Sequence, residues 1–246
     1  MLELIIGTDR TANTDEILQR IRQDVSQCQK GRVLLVPELI SHDMERRLCA
    51  AAGDTASRYA EVLSFSRLAS RVSDSMGHAA MECLDSGGRV VAMAAAARQM
   101  SCRLKSYASV ETKPEFLAEL VDAVDEFKRC CITPEDLKRA SMETDGSLAQ
   151  KLEELALLME GYDALCARGK RDPRDQMTWL LEQLEDSDYA QTHRFYIDGF
   201  PDFTRQHMAI LEHLIVCSAD VIISINCDTI NSTSPAFEKA GKTASD

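Results

Sequence analysis

The chain has 246 residues, 45% hydrophobic and 28% charged, with a formal net charge of −12 from 28 lysines and arginines against 40 aspartates and glutamates. That length supplies one large domain or two small ones with a sizeable core. No apolar run approaches the roughly 20 residues of a membrane span and the N-terminus lacks the order of a signal peptide, so the expected location is the cytoplasm with no membrane partner.

A free-standing nucleic-acid binder presents a basic surface, so any DNA contact by this acidic chain is expected from a local patch or within a larger complex. Nine cysteines, at positions 28, 49, 83, 102, 130, 131, 166, 217 and 227, include no C-x-x-C pair. Most fall within apolar helical or strand patterns, so they read as buried reduced thiols, and no metal site is expected.

Residues 2–15 run from an apolar stretch through a polar turn into a helical pattern, the layout of a phosphate loop. In G-x-x-x-x-G-K-[ST] the glycines let backbone N–H groups wrap phosphates, the lysine neutralises them and the hydroxyl holds Mg²⁺. Gly7 and Thr14 fit the first and last positions, but Ala12 stands for the second glycine and Asn13 for the lysine. A retired nucleotide loop and a plain strand-to-helix turn both fit. The first helix is expected from Thr14 or Asp15, with Ile17, Leu18, Ile21 and Val25 on one face.

Arg32 to Val36, closed by Pro37, reads as a strand buried on both faces. Ser41 then opens a helix through Met44, Leu48 and Ala51 that stops at Gly53. Ala60 to Phe65 makes a third strand, and the helix after it starts at Ser66 and ends near Gly77. Three such units predict a parallel sheet with helices on both faces.

From about 78 to 190 only helical periodicity is present: helices over 87–107, 114–130, a short one after Thr133, 147–168, and one from near Pro173 carrying Met177, Leu180, Leu181 and Leu184. The sheet returns at 194–198, followed by a helix from Thr204 to Cys217 and a strand at 220–225. The expected organisation is therefore an α/β core of RecA-like, P-loop type over 1–78 and 192–228, interrupted by an all-helical insertion over 79–191. Residues 229–246 read as a polar tail broken off inside a longer chain. Asp198, at a strand end downstream of the loop, is either the acidic residue that holds Mg²⁺ in ATPases or a cap of the following turn.

The segments ELIIGTDRTANTD, VLLVPELISHDMERRL, VLSFSRLASRV, DEFKRCCITPEDL and FYIDGFPDFTRQHMAILEHL, in this order and at these intervals, resemble the N-terminal part of the B subunit of AddAB (RexAB) helicase-nucleases over essentially the whole chain. The resemblance implies a degenerate UvrD-like helicase fold of the same architecture. It puts Gly7, Thr8, Asn13, Thr14 and Asp198 at the nucleotide site, and Pro37, Glu38, Ser64, Phe65, Ser66 and Arg67 near single-stranded DNA. There Phe65 could stack on a base and Arg67 reach a phosphate; the alternative is that Phe65 is core and Arg67 caps or pairs locally. Tyr196 to Asp202 aligns with the D-E-x-Q-D box of active members, where Gly199 replaces the catalytic glutamate. ATP and Mg²⁺ are therefore expected to bind weakly or not at all, and no residue of this chain is expected to be catalytic.

The implied role is a scaffold of a bacterial double-strand break repair enzyme. It would pair with the A subunit, the active helicase, and handle unwound single-stranded DNA, with recognition of the Chi hotspot tied to this region in the family. The nuclease domain and iron–sulfur cysteines of such subunits lie near the C-terminus of a longer chain, so no cofactor is expected here. A free-standing P-loop-like enzyme with a degenerate loop is the alternative. A helical interaction module would leave the flanking strands unexplained.

Overall fold

A computed structural model describes residues 1–78, 82–109, 113–218, 220–230, 234 and 237–245. The chain forms two compact units, Met1–Ala79 with Met177–Asp246, and Ala80–Gln176.

The first unit is built on a five-stranded sheet: β1 (Leu2–Gly7), β2 (Arg32–Leu35), β3 (Ala60–Leu63), β4 (Arg194–Ile197) and β5 (Val221–Asn226). Every pairing is parallel and the order is β1-β5-β4-β2-β3. Side chains alternate across each strand, so a strand buried on both faces feeds two cores. Val33, Leu35, Phe195, Ile197, Ile223 and Ile225 pack on one side with α3 (Phe65–Ser75), α8 (Gln176–Glu185) and α10 (Arg205–Cys217). Leu34, Val36, Val62, Tyr196 and Ile222 face the other side, with α1 (Arg10–Ser26) and α2 (Ser41–Ala52). At the N-terminal end of the sheet, Asp24 of α1 accepts from Arg32 Nε (2.8 Å), Tyr196 Oη (2.9 Å) and Arg194.

The cysteines are not buried as expected: only Cys166 and Cys227 are, while Cys28, Cys49, Cys83, Cys102 and Cys131 are exposed. Several boundaries also differ from expectation. α1 starts four residues early, at Arg10, because the Asp9 carboxylate caps it and accepts from the N–H groups of Thr11 (2.8 Å) and Ala12 (3.3 Å). Ser64 and Phe65 belong to no strand: Ser64 caps α3 and Phe65 is its first residue. Leu180 and Leu184, expected in the helical block, are buried in the sheet's core. Periodicity shows that a helix has a buried face but not what covers it. The tail carries a helix, α11 (Glu238–Ser245), while residues 231–233, 235 and 236 of the expected polar stretch lie outside the described residues.

The second unit is helical: α4 (Ser86–Gln99), α5 (Pro114–Arg129), α6 (Pro134–Met142) and α7 (Gly146–Arg168). Met93, Ala97, Leu120, Val124, Leu158 and Tyr162 lie in its core. With α9 (Tyr189–Thr192) of the first unit, the described residues hold eleven α-helices. The helix expected over 87–107 ends at Gln99. Glu154 of α7 accepts from three successive backbone N–H groups beyond it, on Lys105 (3.0 Å), Ser106 (3.1 Å) and Tyr107 (3.0 Å), which takes those amides out of any helical ladder. Burial works against the Glu154 charge, but these donors and Gln150 outweigh it and hold its pKa below the usual carboxylate range.

A buried ionic network joins these helices. Asp172, fully buried, binds Arg89 Nε (3.1 Å) and Lys128 Nζ (3.0 Å). Arg89 also pairs with Asp125 and donates from Nε to Tyr162 Oη (3.2 Å), and Lys128 reaches Asp163 (2.9 Å) and Asp175 (2.6 Å). Burial raises the Asp172 pKa, but the Arg174 N–H, Lys128 and Arg89 lower it further, and the net shift is downward.

Arg89 keeps Asp125 and Lys128 keeps Asp163 and Asp175, so Asp172→Ala leaves buried donors short of one acceptor rather than orphaning a charge, and is expected to destabilise the second unit by about 1–3 kcal/mol, read by urea denaturation. A lowered folded-state pKa means that Asp172 stabilises fully above its unfolded value of about 3.9 and loses that contribution as pH falls below it. Asp175, raised mainly by burial, runs the other way. The mutational cost is therefore expected to shrink from pH 7 to the acid limb. We also expect a chain in which residues 80–176 are replaced by a short Gly/Ser linker to fold as the α/β unit, with cooperative melting by circular dichroism. A wholly unfolded product would show that the sheet depends on the inserted helices.

Candidate functional site

The C-terminal ends of β1, β4 and β5 converge where ligands of open α/β sheets collect. Only Thr8 and Asp9 separate β1 from α1, so the stretch that would be a phosphate loop is mostly helix. The free N–H groups of a helix start are the usual phosphate donors, and here two of them already serve the Asp9 carboxylate.

Asn13 is buried and turned back into the loop, where its Nδ2 donates to Gly7 O (3.2 Å) and Ile225 O (3.4 Å). A Cβ on Gly7 would lie 2.5 Å from Asn13 Oδ1, so the absence of a side chain at Gly7 is what admits the carboxamide. Asn226, its amide nitrogen turned to the loop, donates to the carbonyls of Gly7 (3.0 Å) and Thr8 (2.9 Å). The two carboxamides thus bind the carbonyls of the strand exit.

Asp198, 2% exposed, accepts from Thr14 Oγ1 at 2.7 Å through one oxygen and from Ser224 Oγ through the other. The two residues expected to share a metal are therefore brought together, but bonded directly to each other. Gly199 has φ +83°, a conformation that disfavours any side chain. A Cβ there would meet Ile40 Cδ1 at 2.8 Å and Arg10 Nη2 at 3.1 Å. Arg10 Nη2 donates to Gly199 O (3.3 Å), so a cation covers the place where a glutamate would project. Arg10, Asn13, Asp198, Phe200 and Asn226 line a cavity of about 300 Å³. A larger cleft, about 480 Å³, runs along the edge strand β3 and contains none of these groups.

The expected DNA-facing residues separate into two sets. Phe65 is corrected: its ring is 5% exposed, stacks on His207 (centroids 4.2 Å apart) and meets Phe200 edge-on (5.5 Å), so it has no free face for a base. Ser64 is likewise internal, accepting from Arg67 N (3.3 Å) as a helix cap and donating to Glu38. Glu38, Ser66 and Arg67 are exposed and Pro37 half-buried. Arg67 Nη1 pairs with Glu45 at 2.7 Å, with 46% and 39% of the two side chains exposed. A pair that open is worth at most about 1 kcal/mol and can be exchanged for another anion. Next to Glu38, Leu39 is 98% exposed.

Among the described residues no group of three or more His, Cys, Asp or Glu side chains is arranged to hold a metal, and no helix is long and apolar enough to cross a membrane.

The family model for the N-terminal region of AddB matches residues 4–246. The chain belongs to the AddB N-terminal family. It is similar to proteins named as the B subunit of ATP-dependent helicase/deoxyribonuclease: 32% identical over 235 residues to that of Desulforudis audaxviator, covering 92% of this chain and 20% of the relative; 30% over 231 residues, 93% and 20%, in Thermoanaerobacter pseudethanolicus; and 26% over 247 residues, 96% and 21%, in Bacillus cereus. The chain spans about a fifth of the length of these relatives.

Within this AddB-type region, Asp9, Arg10, Ser224, Asn226 and His207 were not singled out from sequence. Asp9 carried a readable signal, an aspartate just before a helical stretch. The others meet the site only through the sheet order.

His207 Nδ1 is buried and has no hydrogen-bond partner among the described residues. Burial lowers its pKa, and the Asp202 charge offsets this only in part. A histidine whose folded pKa lies below the unfolded value of about 6.5 costs stability as pH falls through that window, because the unfolded chain takes the proton more readily. His207→Phe, which keeps the stack on Phe65 and removes the unpaired nitrogen, is expected to raise the melting temperature at pH 6 more than at pH 8. An equal or larger gain at pH 8 would contradict this assignment.

Proposed function

We propose that this chain is a non-catalytic, helicase-like scaffold region of a bacterial helicase-nuclease subunit that acts in double-strand break repair by homologous recombination. It pairs with an A subunit that supplies the motor and helps handle the unwound single strand, including the response to a recombination hotspot. The observation that carries the non-catalytic part is the closure of the β1–α1 turn by the protein's own groups. Asp9 occupies the helix N-terminus, Asn13 and Asn226 hold the strand exit, and Thr14 bonds Asp198 where a metal would stand between them. The conformation of Gly199 also leaves no route to a carboxylate that could orient water. The names of the relatives support the assignment to the B subunit of a helicase-nuclease. The nuclease and any iron–sulfur cluster are assigned to the remainder of such a protein, outside the fifth of its length matched here.

For the DNA-handling part, Pro37, Glu38, Ser66 and Arg67 form the exposed corner beyond β2 and β3. Arg67 is the group that can leave Glu45 for a phosphate, and the contact is weak in the isolated chain because so few cations take part.

Calorimetric titration with ATP and Mg²⁺ tests the reading. No saturable binding is expected below about 1 mM, and micromolar affinity would overturn the proposal. Asp9→Gly with Ala12→Gly and Asn13→Lys, which removes the internal cap and restores the missing lysine, is expected to bind ATP more tightly than the natural chain and still not hydrolyse it. Gly199→Glu added to that triple variant is expected to lower stability rather than to restore turnover, owing to the contacts with Ile40 and Arg10.

A further inference from the structure

The acidic charge of the chain is unevenly placed. Residues 98–113 hold four cations, Arg98, Arg103, Lys105 and Lys113, against one carboxylate, Glu111, in a protein where acids outnumber bases by 40 to 28. The α4–α5 corner of the helical unit carries these four cations. All four cations are exposed, as is Lys151 of α7, and none of the five has an ion-pair partner among the described residues. Most of the other basic side chains are engaged: Arg20, Arg32, Arg47, Arg67, Arg71, Arg89, Lys128 and Arg194 all have carboxylate partners.

The corner is also held in place. Glu154 takes the backbone N–H groups of Lys105, Ser106 and Tyr107, and Gln150 Nε2 donates to the same carboxylate at 2.9 Å. Tyr107 meets Phe116 at 5.9 Å, which brings the start of α5 and therefore Lys113 to the same corner. Lys151 lies one helical turn before Glu154 and flanks it from α7. Glu115 and Glu153 are the exposed acids nearest in sequence to Lys113 and Lys151. No acid interrupts Arg98, Arg103 and Lys105, and the exposed Ser101 and Ser106 lie among them.

Fixed backbone with unpaired guanidinium and ammonium groups, and hydroxyls between them, suits a row of phosphates: the cations displace counterions, and little ordering is needed on binding. We propose that this corner is a phosphodiester-binding site that contacts the backbone of a DNA strand, separate from the β2–β3 corner of the α/β unit. The proposal rests on the DNA-handling reading given above. The contact is to backbone and not to bases, so it is independent of sequence and falls steeply with salt.

The test is fluorescence anisotropy of the 246-residue chain with a labelled oligonucleotide of mixed sequence, across a salt series. Arg98→Glu with Arg103→Glu and Lys105→Glu is expected to weaken binding at low salt by about tenfold or more, and to reduce the slope of log K against log salt by about 2, the value for three fewer neutralised phosphates on a single strand. A control with the same charge change on the other unit, Arg22→Glu with Lys30→Glu and Arg58→Glu, is expected to move both much less. Lysine acylation read by mass spectrometry is a second measurement that needs no variant: DNA should protect Lys105, Lys113 and Lys151 but not Lys30 or Lys170. Equal binding by the corner variant and the natural chain, or an equal loss in the control, would overturn the site while leaving the DNA reading intact. A natural chain that binds no DNA even at low salt would overturn both.

Discussion

The contact on which the α/β unit depends is the buried carboxylate of Asp198. It sits one residue past β4, and its two oxygens take the hydroxyls of Thr14 on α1 and Ser224 on β5, joining chain segments 184 and 26 residues apart. A carboxylate this buried is tolerable only if its oxygens are satisfied. The natural partner for such a group at the end of a parallel sheet is a divalent cation held together with a hydroxyl. Here the hydroxyls themselves complete the site. Once Thr14 is committed to Asp198, α1 is fixed against the sheet and the preceding turn has only two residues in which to close, which Asp9, Asn13 and Asn226 accomplish with side chains alone.

The substitutions around this contact therefore act together. An alanine in place of the loop's second glycine favours helix, since glycine costs roughly 1 kcal/mol more than alanine in a helix interior. The helix in turn extends back to Asp9, whose carboxylate takes the amides that would otherwise be open. Asn13, shorter than lysine, can fold over Gly7 instead of reaching outward. Arg10 then lies over Gly199. In this arrangement the groups at the strand exit and helix start are held by internal contacts, so the turn is stable without a bound ligand.

Much of the architecture was legible in the sequence because it rests on period and punctuation. The short apolar runs 2–6, 32–36, 194–197 and 221–225 read as strands, with 32–36 buried on both faces, and Thr133, Thr204 and Gly53 mark helix ends at the expected places. That Thr14 and Asp198 lie together was legible for the same reason. The misses have a common cause: they depend on what a residue meets across the fold. Phe65 is a plausible base-stacking ring until His207 and Phe200 are seen against it. The α8 stripe is equally amphipathic whether it covers helices or a sheet. The helix expected over 87–107 ends at Gln99, and a glutamate some fifty residues away takes the amides of residues 105–107. Asp9 is the exception, since its capping role was local and readable.

Amide NMR of the β1–α1 turn tests the central claim most directly. If Asp9, Asn13 and Asn226 close this turn, the backbone amides of Thr11 and Ala12 and the side-chain amide of Asn13 are protected from exchange, and inorganic pyrophosphate with Mg²⁺ shifts none of them up to about 10 mM, a level at which even millimolar affinity would show. Rapid exchange of these protons in the free protein, with a saturable pyrophosphate-dependent shift centred on residues 8–14, would contradict the account and show a working phosphate site.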